Sequence, residues 1–215
     1  HAHAGMARGK AAERLRDLPR AAVRVVGTNS FRIAKNAGDF IPQAEFILGF
    51  PIEVIAGREE ARLIYLGVAH GLPQSKENRL VIDIGGGSTE FIIGNGLLPT
   101  KLESLYMGCV SYSSRFFPDG KITKQNLKHA ELAARLELQT IIADYKGQWQ
   151  QALGSSGTAK AIAEVMELNG YSAVDSGYSG MRRGTPEYRA LEHAFHRVAH
   201  LHRAHHVAAD IGDDE

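Results

Sequence analysis

The chain has 215 residues, 25 Lys and Arg against 24 Asp and Glu, 44% hydrophobic and 23% charged residues. That apolar share suffices for a buried core and argues against disorder, whereas a formal charge of +1 offers no global field to nucleic acid or an anionic membrane, so any phosphate recognition has to be local. The lone Cys109 excludes an intrachain disulfide and fits a reducing, cytoplasmic compartment; no stretch approaches the roughly 20 apolar residues of a membrane span, and His1 to Leu18 lacks a signal-peptide apolar run.

In chain order, Ala11 to Leu18 reads as a charged helix ended by Pro19, and Ala22 to Val26 as a short, β-branched buried strand. Ser30 to Leu48 is expected to be helical with a break near Gly38 and Pro42, Pro51 to Ile55 a second strand, and Glu59 to His70 a helix with a broad apolar face. Gly71 to Asn78, with Pro73, is the predicted domain boundary. Arg79 to Asp83 and Thr89 to Ile93 read as strands around Ile84 to Ser88, a turn expected to need glycine's backbone freedom. Gly94 to Gly96 closes a second hairpin before a third strand, Leu97 to Met107.

Thr123 to Tyr145 is the strongest helical pattern, with Thr123 as N-cap and Leu127, Ala130, Ala134, Leu138, Ile141 and Ile142 assigned to one buried face. Gln150 to Leu153 then reads as a strand, Gly154-Ser-Ser-Gly-Thr158 as a turn, and Ala159 to Leu168 as a helix ending at Gly170. The alternation of strands and helices predicts an α/β fold. From about Tyr171 the chain turns Gly-, Ser- and His-rich, and Pro186 to Val207 reads as a His-rich helix outside the core.

The glycines concentrate the chemistry. Gly85, Gly86, Gly87 and Ser88 follow a strand that ends in Asp83, so consecutive N–H groups could cradle phosphate oxygens while the carboxylate holds a divalent cation such as magnesium. A ligand-free hairpin is the competing explanation. Gly154, Ser155 and Gly157 open a helix and could offer its N-terminus to an anion, against the simpler role of capping that helix.

Together these segments resemble a known family. Val81-Ile-Asp-Ile-Gly-Gly-Gly-Ser-Thr-Glu90, with Gly57-Arg-Glu-Glu-Ala-Arg-Leu63 before it and Met107-Gly-Cys-Val110 and Gly154-Ser-Ser-Gly-Thr158 after it, is similar to the exopolyphosphatase and guanosine pentaphosphate phosphohydrolase family of the actin, heat-shock ATPase and sugar-kinase superfamily. The resemblance runs from about Arg14 to Gly170. It implies two ribonuclease-H-like domains facing a cleft: residues 1–75 as an incomplete first domain, 76–170 as the second, and 171–215 as an unassigned tail. It further implies Glu60 as the base that activates water, Glu90 as a second carboxylate linked to activity, Asp83 as the magnesium residue, Gly85 to Ser88 as the phosphate loop, and Arg32 as a phosphate contact. Polyphosphate or guanosine pentaphosphate is the implied substrate, and paired subunits the implied assembly.

The family's opening loop, Asp-x-Gly-Ser-Asn-Ser, has no counterpart before Arg14, which sets against the hydrolase an inactive phosphate-binding fragment and a kinase or ATPase of the same superfamily. His196 with His200 and His202 with His206 stand at i, i+4 but lack a completing ligand, so a solvated helix is favoured over a zinc site. Cys109, without a companion His or Asn, reads as a small buried residue rather than a nucleophile.

Overall fold

The computed structural model describes residues 12–15, 17–168 and 180–182. The His-rich helix expected over 186–207, with its histidine pairs, and the Gly170 helix end lie outside the described residues. The chain divides into two compact units, His1–Glu60 and Ala61–Glu215.

In the first unit β1 (Val25–Gly27) and β2 (Ile52–Val54) pair in parallel, Val25 opposite Ile52 and Gly27 opposite Val54. The Ile55 N–H extends the ladder to the Gly27 carbonyl at 3.0 Å. β1 starts later than predicted because Arg20–Ala22 winds into a 3-10 turn, with Ala22 N–H donating to Pro19 at 2.8 Å. The helical stretch breaks at residues 34–36 instead of near Gly38 and Pro42. α1 (Asn29–Ile33) ends as Ala34 turns extended, and α2 (Ala37–Leu48) carries Pro42 within it. Gly49, at φ 75°, caps α2 in the left-handed region that favours glycine, its N–H donating to Glu45 at 2.8 Å.

α3 (Gly57–His70) contains the division between the units. The second unit is built on a five-stranded sheet of β3 (Arg79–Ile84), β4 (Thr89–Asn95), β5 (Leu98–Leu105), β6 (Gln151–Ser155) and β7 (Gly180–Arg182), in the order β5-β4-β3-β6-β7. β3, β4 and β5 form an antiparallel meander, β6 runs parallel to β3, and β7 is antiparallel to β6. The antiparallel meander joined to a parallel strand is the arrangement expected of a ribonuclease-H-like unit. β7 lies in the stretch that the sequence left as unassigned tail.

Strand alternation splits the core into two layers. On one face Val81, Ile92 and Leu153 pack with Ala61, Tyr65 and Ala69 of α3; on the other Leu80, Phe91, Ile93 and Leu105 pack with Ile141 and Tyr145 of α5 (Lys124–Tyr145). Each large apolar side chain buried this way contributes about 1.5–3 kcal/mol before entropy is counted. Two tyrosines tie helix to sheet by their hydroxyls, Tyr145 donating to the Phe91 carbonyl at 3.0 Å and Tyr65 to that of Gly96 at 3.1 Å.

Thr123 caps α5 as expected, accepting the Asn126 N–H at 3.1 Å. Ile142, assigned to the buried face, is instead 55% exposed: Ile141 and Tyr145, one turn apart, form the buried row, and the next residue points about 100° away. The Gly71–Asn78 connection lies within the second unit and is fastened to it. Arg79 Nη2 donates to the Pro73 carbonyl at 2.7 Å, and Asn78 N–H to Gln150 Oε1 at 2.9 Å.

Candidate phosphate loop and carboxylate sites

The loop Gly85–Ser88 joins β3 to β4, and the N-terminal end of α4 (Cys109–Phe116) fixes it. Cys109 N–H donates to the Gly85 carbonyl at 2.9 Å, and the Val110 and Ser111 N–H groups to that of Gly86 at 2.8 and 2.9 Å. None of the described peptide bonds is cis. In a trans peptide the N–H opposes the C=O, so fixing the Gly85 and Gly86 carbonyls on α4 aims the Gly86 and Gly87 N–H groups away from that helix. This is how a backbone makes an anion-binding concavity without a positive side chain.

The glycines are required for a different reason than expected. Gly85 and Gly86 do not adopt left-handed angles. Instead, a Cβ on Gly85 would lie 3.1 Å from the Ser88 carbonyl oxygen, and one on Gly108 would lie 2.5 Å from both the Gly86 carbonyl and the Gly87 nitrogen. Close approach, not turn geometry, excludes a side chain at Gly108 and disfavours one at Gly85, whereas a Cβ on Gly86 would meet Val110 at an ordinary 3.4 Å. Ser88 is 3% exposed and closes the loop by accepting the Gly85 N–H at 3.0 Å. Thr89, also buried, anchors the start of β4 by donating its hydroxyl to the Met107 carbonyl.

Asp83 and the carboxylate of Glu90 occupy opposed positions on β3 and β4, Glu90 opposes Ser104 on β5, and Asp83 opposes Ser155 on β6. The four form a row across one face of the sheet, two carboxylates flanked by two hydroxyls. Glu90 is 1% exposed and accepts the Ser104 hydroxyl on Oε1 at 2.8 Å. Directly opposed like charges are unfavourable unless a cation offsets them, and one or two carboxylates with waters and phosphate oxygens are the donors magnesium prefers. The residues thus fit the ion. No group of three or more His, Cys, Asp or Glu with metal-binding geometry occurs among the described residues, which leaves a pair and not a closed cage.

In the first unit the neighbouring Glu59 and Glu60, on the first turn of α3, go to different arginines. Arg24 donates to Glu53 at 2.8 and 2.9 Å and to Glu59 at 3.0 Å; these bonds lower the Glu53 carboxyl pKa and raise that of the Arg24 guanidinium. Arg32 Nη1 donates to Glu60 Oε2 at 3.0 Å and to the Ile55 carbonyl at 2.9 Å, both side chains being mostly shielded. The structure therefore brings together two residues, Arg32 and Glu60, that the sequence nominated for separate tasks.

The second Gly-Ser segment is not a free loop. Gly154 and Ser155 belong to β6, and α6 (Ser156–Leu168) starts at once with Ser156 at φ 72°. Ser156 Oγ donates to the Ile84 carbonyl at 3.1 Å, and a Cβ on Gly154 would lie 2.8 Å from that of Ala159, so Gly154 permits close strand–helix packing. Gly157 lies in the first turn of α6 with open space around it. Cys109 is exposed at the start of α4, not buried as expected, and serves the loop through its backbone N–H. Sequence reasoning missed Ser104 and, although it quoted Met107-Gly-Cys-Val110 as a motif, the clamp that this segment makes; the register of β5 and the close approach of Gly108 to Gly86 leave no mark on composition or spacing.

The chain is similar to several solved structures. An exopolyphosphatase-like protein matches at 26% identity and a TM-score of 0.68, over 76% of this chain and 52% of that one. The PPX-GPPA enzyme of Aquifex aeolicus matches at 27% identity and a TM-score of 0.57, over 80% and 56%. An exopolyphosphatase from Cytophaga hutchinsonii matches at 26% identity and a TM-score of 0.63, over 80% and 55%. The chain spans about half the length of these proteins. Its α/β architecture is that of the actin-like ATPase fold. Residues 8–209 match the Ppx/GppA phosphatase family, beyond the Gly170 at which the resemblance was expected to end; the chain belongs to that family.

Proposed function

We propose that the chain works as a phosphoanhydride hydrolase, releasing terminal phosphate from inorganic polyphosphate or the 5′ γ-phosphate of guanosine pentaphosphate. The observation that carries this reading is the Gly85–Ser88 loop, whose anchored carbonyls turn successive N–H groups to one side. In this proposal Gly85 to Ser88 and Arg32 hold phosphate oxygens, with Gly154, Ser155 and Gly157 as further phosphate contacts, and Asp83, with Glu90 beside it, holds magnesium. Glu60 orients the attacking water and takes its proton. Magnesium when bound neutralises phosphate charge and polarises the bond to be broken. The Glu60 carboxylate and the loop amides supply orientation and fixed dipoles, the two contributions on which phosphoryl transfer chiefly depends.

The test is phosphate release from polyphosphate with magnesium, comparing the chain with Glu60→Ala and Asp83→Asn. The reading expects both variants to lose at least about a hundredfold in kcat, as removal of a general base does. Equal rates for Glu60→Ala would remove the base assignment. Tight polyphosphate binding with no turnover by the unaltered chain would support a phosphate-binding module instead.

A further inference from the structure

We infer that Arg32 is the positioning residue of Glu60: it holds the carboxylate in one orientation through Nη1 while the rest of its guanidinium remains for phosphate. This inference rests on the proposed function and adds to it a coupling between base and substrate.

A glutamate on the first turn of a helix has several rotamers open to it. Here one is selected, because Arg32 Nη1 reaches Glu60 Oε2 at 3.0 Å and is itself held by the Ile55 carbonyl at 2.9 Å. Ile55 is 4% exposed, and its own N–H is bonded to Gly27 at the end of β1. The anchor of the arginine is thus rigid backbone between β2 and α3. The Glu60 backbone from which the side chain projects is held as well, its N–H donating to the Ala56 carbonyl at 3.0 Å.

The geometry departs from the common arginine–carboxylate fork, in which two parallel N–H groups face two oxygens. Only Nη1 is engaged by both partners, and among the described residues no bond is made by Arg32 Nε or Nη2, or by Glu60 Oε1. One rigid plane therefore offers a held base oxygen on one side and unengaged phosphate donors on the other. Glu60 Oε1 is left to accept the proton of a water. A guanidinium whose parts cannot move independently would then set the distance from that water to the phosphorus, which the flexible, compact charge of a lysine could not.

A double-mutant cycle tests this. Arg32→Ala is expected to lower kcat about a hundredfold, the loss that a misplaced reacting group incurs, and Arg32→Lys nearly as much. In the Glu60→Ala background the same Arg32→Ala change is expected to cost less than about threefold, because the residue it positions is gone. If the two losses multiply, or if Arg32→Ala raises only KM, Arg32 is a phosphate contact alone and the inference is wrong. A Glu60→Ala variant of normal rate would instead remove the base assignment within the proposed function.

A readout independent of turnover is available in 15N spectra of the arginine side chains of the full chain. Slow rotation of the Arg32 Nη1 group, lost in Glu60→Gln and retained when tripolyphosphate and magnesium are added, is the expected result. Fast rotation in the unaltered chain, or release of Nη1 by tripolyphosphate, would show that Arg32 does not hold the base while substrate is present.

Discussion

Asp83 and Glu90 face each other across the β3–β4 pair, two carboxylates set side by side on the sheet face that Val81, Ile92 and Leu153 also line. Directly opposed like charges of this kind disfavour a fold by about 0.2–1 kcal/mol, a cost that a cation bound beside them reduces. Asp83→Asn should therefore stabilise the metal-free chain slightly and abolish any rise in melting temperature caused by magnesium. Thermal melts with and without magnesium check both halves; an undiminished magnesium response in the variant would place the ion elsewhere.

Gly108 tests the loop clamp. A methyl group there would sit 2.5 Å from backbone atoms of Gly86 and Gly87, which cannot yield as a flexible side chain does. Gly108→Ala is expected to cost roughly 1–3 kcal/mol of stability, the usual penalty of overpacking, and to weaken phosphate binding by displacing the loop. The urea midpoint and the affinity for tripolyphosphate, measured on one sample, report the two effects.

Gly94 is a similar position in the core, where a Cβ would meet the Tyr65 ring and lie 2.6 Å from the Leu98 carbonyl oxygen. Tyr65 itself is nearly inaccessible, and burial raises its phenol pKa above the ordinary 10.0. With the folded value above the unfolded one, the neutral phenol's contribution is complete below pH 10.0 and is lost as pH rises toward the folded value. Denaturant titrations across that alkaline range should show the unaltered chain losing stability faster than Tyr65→Phe. The variant should begin about 0.5–1.5 kcal/mol lower for want of the bond to Gly96.

Arg24 predicts the opposite slope at acid pH. Its hydrogen bonds lower the pKa of Glu53 below 4.5, so their contribution is present above that value and disappears as pH falls below it. Both side chains are exposed, which keeps the effect small and sensitive to salt. Chemical denaturation from neutral to acid pH, at low salt, should show a shallower decline for Arg24→Ala than for the unaltered chain.

Much of this was legible in the sequence because it depends on local pattern. The 3.6-residue period over 124–145 with Thr123 before it, and the β-branched runs around Gly85 to Gly87, specify elements whose residues need no distant partner to declare themselves. What stayed illegible depends on register and approach. Nothing in the order of residues sets Ser104 against Glu90, joins Arg32 to Glu60 across 28 positions, or sends Gly108 into Gly86. The exposure of Cys109 depends likewise on how the start of α4 meets the loop, which its neighbours in sequence do not declare.

The anchoring of Gly85 and Gly86 on α4 also fixes the expected thermodynamic signature of ligand capture. Donors already held in direction lose little conformational freedom when an anion arrives, so the binding of tripolyphosphate should carry only a small ordering entropy. In Gly108→Ala, where the same N–H groups must first be gathered, calorimetry should find the deficit in affinity concentrated in the entropy, and a slower encounter to match.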